Sequence, residues 1–175
     1  MNAIPGAIAK LLIFKLHTLV ISEMPVCFFG FDGVLVPEYP SYSRAAQQLT
    51  VDMVYRCLKC KLIEISTEDW SQHSIFTGDE AFVRELARVD QNKKAFPDSS
   101  ESRQHALDMG VWLEPQLCCS TAGEALVNRY FPGALDLEGD LRVAQFNDEV
   151  CKIFMAHDVP WSTEPLMPLS FRPEL

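Results

Sequence analysis

The chemistry readable in this chain begins where an apolar run stops at an acid. Val26-Cys27-Phe28-Phe29-Gly30-Phe31 gives way to Asp32-Gly33, and Val34-Leu35-Val36 follows. Such a run, rich in aromatic and β-branched residues, reads as a strand buried on both faces of a parallel sheet. Asp32 then sits just past the strand's C-terminal end, where open α/β sheets place their ligands. A carboxylate there suits metal or phosphate chemistry, and Gly33 lets the backbone turn beside it.

Cysteine offers a second chemistry. Cys57-x-x-Cys60 and the vicinal pair Cys118-Cys119 could present thiolates to zinc. However, Cys57 and Cys60 lie on an apolar helix, while Cys118 and Cys119 point to opposite faces of a strand, and the second pair lacks zinc spacing. Buried, reduced thiols in a cytosolic setting are the expectation. Of His17, His73, His105 and His157, only His157-Asp158 resembles a metal-ligand pair, and a surface or helix-end histidine is the simpler reading.

These residues must be held by elements that alternate along the chain. Residues 3–21 are the most apolar stretch, but Lys10, Lys15 and His17 interrupt it, so a non-spanning helix or extra strand packed on the domain is expected. Met24 offers an alternative start. Ser43 caps a short helix through Leu49, and Thr50 caps a second helix, Val51–Cys60, with Val51, Val54, Tyr55 and Leu58 on one face. Leu62-Ile63-Glu64-Ile65 reads as a strand closing on Ser66-Thr67, completing a right-handed βαβ unit. Later come a helix over Glu80–Arg88, a polar loop from Gln91, and a helix over Ser100–Met109. Strands follow at Val111–Leu113 and Gln116–Cys119, then a helix over Ala122–Tyr130 capped by Thr121, and a strand over Leu141–Phe146 that ends at Asn147-Asp148-Glu149. The alternation predicts an α/β three-layer sandwich with a mostly parallel central sheet. Residues 1–23 form an apolar extension, 24–160 a single domain, and 161–175 a proline-rich tail wrapped over the surface.

Phe31-Asp32-Gly33-Val34-Leu35 resembles the first motif of the haloacid dehalogenase-like (HAD) hydrolases, D-x-D-G-[TV]-[LV]. In that family the first Asp is the nucleophile and the second the general acid/base. Asp32 matches the second; Gly30 stands where the first would be and supplies neither a nucleophile nor a metal ligand. The resemblance implies that Ser66 or Thr67 holds a phosphoryl oxygen, with Trp70 similar to the Ser-Ser-x-Trp sequence of small HAD-like domains. Leu117-Cys118-Cys119-Ser120-Thr121 ends the same way, but position after the first crossover favours Ser66-Thr67. It further implies that Lys93 or Lys94 neutralises the phosphoryl group, and that Asp148 joins Asp32 in binding Mg²⁺.

The expected protein is thus a HAD-like (Rossmannoid) domain related to phosphate-ester hydrolases. Without the nucleophile it is either a catalytically impaired pseudoenzyme binding a phosphorylated small molecule, or a Mg²⁺-dependent enzyme using metal-bound water. The alternative is an acidic, non-enzymatic interaction or inhibitor protein that binds a protein partner. Composition bounds both. The 175 residues suffice for one core, and 48% hydrophobic with 22% charged content describes a globular chain. Fifteen basic against 24 acidic residues, a net charge of −9, opposes a nucleic-acid surface and suits a soluble protein or one whose partner is basic. A cytoplasmic protein without a membrane span is expected.

Overall fold

The computed structural model describes residues 3–31, 39–40, 43–66, 78–91, 109–138 and 140–171. Helix α1 spans Gly6–Ile21; strand β1, Met24–Pro25, runs into a 3₁₀ turn over Val26–Phe29. Helix α2 covers Arg44–Lys59, strand β2 Ile63–Ile65 and helix α3 Asp79–Arg88. Residues 109–113 are helical, strand β3 is Gln116–Cys119, helix α4 is Thr121–Tyr130 and helix α5 is Asp140–Ala156. The described residues are mostly helical, with one small antiparallel sheet among them of order β1-β3-β2. The three-layer sandwich with a parallel sheet is therefore corrected, since β3 pairs antiparallel with both neighbours.

The central strand expected at Val26–Phe31 is not formed. Pro25 enters the segment with φ −55°, and the chain tightens into a 3₁₀ turn. Residues three apart eclipse in such a turn, so Val26 and Phe29 are both fully buried while Phe28 between them is 66% exposed. The run is apolar because one side of a turn is anchored, not because two faces of a strand are covered. The Phe31 N–H, just beyond it, donates to the Thr50 hydroxyl at 2.9 Å, tying the segment to α2.

Two other expected strands are helical. Leu141–Phe146 begins α5, whose buried Val143, Phe146, Val150 and Phe154 keep a helical period well past residue 146. Residues 111–113 coil so that Trp112 is fully buried while Leu113 is exposed. Near residue 50, one helix replaces the expected two. Ser43 caps it by accepting the Ala46 N–H at 3.0 Å, and Thr50 lies inside it with its hydroxyl donating to the Ala46 carbonyl at 2.9 Å. That back-bond lets a capping residue type sit mid-helix.

The core gathers around β3. Leu117 on β3 faces Met24 of β1 and Ile65 of β2, and Ile63 pairs with Cys119; Glu64 and Cys118 pair on the opposite face. Helix α1 packs against β3, α4 and α5, and contributes Ile8, Leu12, Ile13 and Leu16 to the buried set. Residues before Met24 are thus structural members of the core. No helix among the described residues is long and apolar enough to cross a membrane.

The passage from α2 to β2 shows how tightly these elements are joined. Lys61 N–H donates to the Leu58 carbonyl at 3.0 Å and Leu62 N–H to the Cys57 carbonyl at 2.9 Å, the two bonds of a Schellman motif. Lys61 holds the left-handed position of that motif, with φ 55°. Glycine is the residue suited to this conformation. Lys61→Gly is expected to be more stable than Lys61→Ala by about 1 kcal/mol, read from urea midpoints. Both variants lose the exposed ion pair with Asp79, so the comparison isolates the backbone; equal midpoints would refute the account.

Candidate functional site

The expected phosphoryl site is only partly within the described residues: Asp32, Thr67, Trp70, Lys93 and Lys94 lie outside them. Gly30 closes the 3₁₀ turn, where an added Cβ would meet the Cys27 carbonyl oxygen at 3.2 Å. Ser66 ends β2, half-buried, its N–H donating to the Gln116 carbonyl at 2.8 Å. Asp148 lies on an exposed position of helix α5, not at the end of a strand. Ser66 and Asp148 thus sit on separate elements, with no hydrogen bond or ion pair joining them. No group of three or more His, Cys, Asp or Glu placed to hold a metal occurs among the described residues.

All six cysteines are free thiols. Burial pushes Cys60 and Cys119 up to about 12, and raises fully enclosed Cys57 further. Thiols held protonated this firmly are poor ligands and poor nucleophiles at neutral pH. His157 turns its Nδ1 to the Ile153 carbonyl at 2.9 Å, and His17 its Nε2 to the Gly133 carbonyl at 3.0 Å. His157 thus bonds within its own helix end, and His17 ties α1 to the segment after α4; His73 and His105 lie outside the described residues.

The built polar constellation lies elsewhere, on helix α2. Arg44, Gln48, Asp52 and Arg56 recur every four residues and so share one face. Across that face runs the segment from Pro160 to Phe171, irregular but tethered at several points. Arg56 donates from Nη2 to the Pro160 carbonyl at 3.1 Å. Oδ1 of Asp52 accepts the N–H groups of Leu166 and Met167 at 3.1 and 3.0 Å. Gln48 donates to the Met167 carbonyl at 2.9 Å and accepts the Leu169 N–H at 3.0 Å, an amide standing in for a strand partner. Arg44 reaches the Leu169 and Phe171 carbonyls, both at 3.1 Å. The segment runs antiparallel to the helix, and Ser170 N–H adds a bond to the Ala87 carbonyl at 2.9 Å.

Ring contacts close both ends of this strap. The Arg56 guanidinium lies 5.3 Å from the Trp161 ring centroid and that of Arg44 lies 4.6 Å from Phe171, within cation–π range. Leu169 is buried in the core between them. Beside Trp161, Ser162 and Thr163 a cavity of about 200 Å³ remains against Gln48, Leu49, Asp52 and Arg56. Arg56 is fully buried, and desolvation lowers its pKa while neighbouring Asp52 opposes that shift. Burial raises the Asp52 pKa, offset in part by the two strap amides, Arg56 and Gln48. Chemically, this face holds an irregular segment of the same chain through that segment's main-chain groups. Sequence reasoning missed it because breaking the helix at Thr50 split the four-residue stripe between two elements; an unbroken helix would have displayed it.

No family model, no curated protein and no solved structure matches this chain.

Proposed function

We propose that this chain is a non-enzymatic interaction protein that binds a protein partner by taking up an extended segment along helix α2. The observation that carries the reading is the row Arg44, Gln48, Asp52 and Arg56, whose side chains satisfy the backbone of the strap from Pro160 to Phe171. Main-chain bonding supplies affinity without demanding one particular sequence, the logic by which sheet edges capture peptides. The net charge of −9 favours a basic partner, because complementary charge speeds encounter. Six free thiols support a reducing compartment such as the cytoplasm.

The reading requires that the strap release the helix while the core stays folded. Native-state hydrogen exchange tests this through the amides of Leu166, Met167 and Leu169, which are held only by side chains of α2. They are expected to exchange through a local opening, with a free energy below the global value and little dependence on denaturant. The buried-face amides of α2 are expected to open only with the whole molecule. Strap amides that exchange solely by global unfolding would mean that the face is never offered to a partner.

A further inference from the structure

Resting on that interaction reading, we infer the kind of segment the α2 face selects: one with an aromatic residue at each end, ten positions apart, and an aliphatic residue two positions before the second aromatic. The protein's own C-terminal strap is its intramolecular competitor.

The pattern follows from what the face touches by side chain and what it touches by main chain. Trp161 lies under Arg56 and Phe171 under Arg44, so each end of the row carries a cation over an aromatic ring. Leu169 drops into the core. Between these points Asp52 and Gln48 bond the strap only through its backbone groups, while Glu164, Pro165 and Pro168 are exposed. Positions 164, 165 and 168 are therefore free to vary, whereas Leu166 and Met167 pack half-buried against the core and favour apolar side chains there too. Prolines at 165 and 168 have no N–H to satisfy, which suits a segment held at selected amides only.

One feature makes this seat exchangeable. The cavity of about 200 Å³ beside Trp161 shows that the strap leaves its first half incompletely packed. The strap leaves α5 through the helix's own Schellman cap, where Asp158 N–H donates to the Met155 carbonyl at 3.2 Å and Val159 N–H to the Phe154 carbonyl at 2.9 Å, so the connector is set by α5 and not by the strap's seat. A connector this short gives the strap an effective concentration on the order of millimolar. An outside segment succeeds by matching the aromatic and aliphatic anchors while filling the groove better.

The test uses the intact chain and a fluorescein-labelled synthetic peptide with the sequence of residues 159–171. Fluorescence polarisation compares the wild-type protein with the full-length Trp161→Ala/Phe171→Ala variant, whose own strap has lost both ring contacts. The peptide is expected to bind the variant roughly tenfold tighter than wild type. Equal affinity would show that the strap does not compete. A second peptide with alanine at both aromatic positions is expected to bind the variant roughly tenfold more weakly than the first. If both peptides bind alike, the aromatic pattern falls while the interaction reading stands. If neither binds up to about 1 mM, although the strap amides exchange by local opening, the inference is overturned and α2 is not a peptide seat. Should the double variant not fold, Phe171→Ala alone carries the same comparison.

Discussion

Gly123→Ala is expected to remove at least about 3 kcal/mol of stability, enough to leave a protein of ordinary stability marginal. Helix α4 starts at Ser120, which accepts the Gly123 N–H at 3.0 Å and bonds the Lys61 carbonyl through its hydroxyl. The Ser120 N–H donates to the Leu62 carbonyl at 3.2 Å, pinning the first turn of α4 onto the loop between α2 and β2. Gly123 lies directly over that carbonyl. A Cβ there would stand 2.0 Å from the Leu62 oxygen and 2.8 Å from the Cys119 sulfur. Neither neighbour can yield cheaply: one is backbone within the Schellman motif, the other belongs to central strand β3. The gain in helix propensity from alanine, about 1 kcal/mol, opposes the clash without cancelling it. Gly6→Ala is the control, because a Cβ in the first turn of α1 meets nothing within 4 Å. Urea denaturation of the two variants should show a large loss for the first and none for the second. A Gly123→Ala protein as stable as wild type would refute this packing of α4 against Leu62.

Much of the local structure was legible, and the failures share a cause. The buried set Val51, Val54 and Leu58, the strand segments Ile63–Ile65 and Gln116–Cys119, and the helix ending at Arg88 follow from apolar period and caps. What failed was the reading of short apolar runs. Six residues of either 26–31 or 141–146 do not separate strand from turn or helix, because any of them can bury such residues. Val150 and Phe154 carry the missing information for α5, because they extend the helical period past residue 146. From those two strands came the parallel sheet and the position of Asp148 at its edge. Thr50 misled for a different reason: its hydroxyl caps helices in general, and here it bonds Ala46 and receives Phe31. The strap site was hidden by that break, since Arg44 and Gln48 fell in one element and Asp52 and Arg56 in another. Gly123 left no signal at all; its role exists only once α4 meets the Leu62 carbonyl.

Asp52 is where the stability of the strap and its pH dependence meet. Asp52→Leu is expected to cost on the order of 3 kcal/mol, because the Leu166 and Met167 amides lose their shared acceptor and buried Arg56 loses its neighbouring carboxylate. Asp52→Asn keeps a carbonyl oxygen for both amides but also leaves buried Arg56 without a carboxylate neighbour, so at neutral pH it should fall between wild type and Asp52→Leu. The two differ with acidity in a defined sense. Burial raises the Asp52 pKa above its ordinary value of 3.8, so the folded state holds this proton more firmly than the unfolded chain. The favourable contribution is then fully present below the unfolded value and is lost as pH rises through the folded one. Wild type should therefore gain on Asp52→Asn as pH falls from 7 toward the ordinary carboxylate range, read as the difference in urea midpoint at each pH. If wild type instead loses ground on acidification, the strap amides and Arg56 outweigh burial, and Asp52 binds the strap as a stabilised carboxylate. Loss of the Leu166 and Met167 exchange protection in Asp52→Leu, with the α2 core amides still protected, would place the cost in the strap rather than in the core.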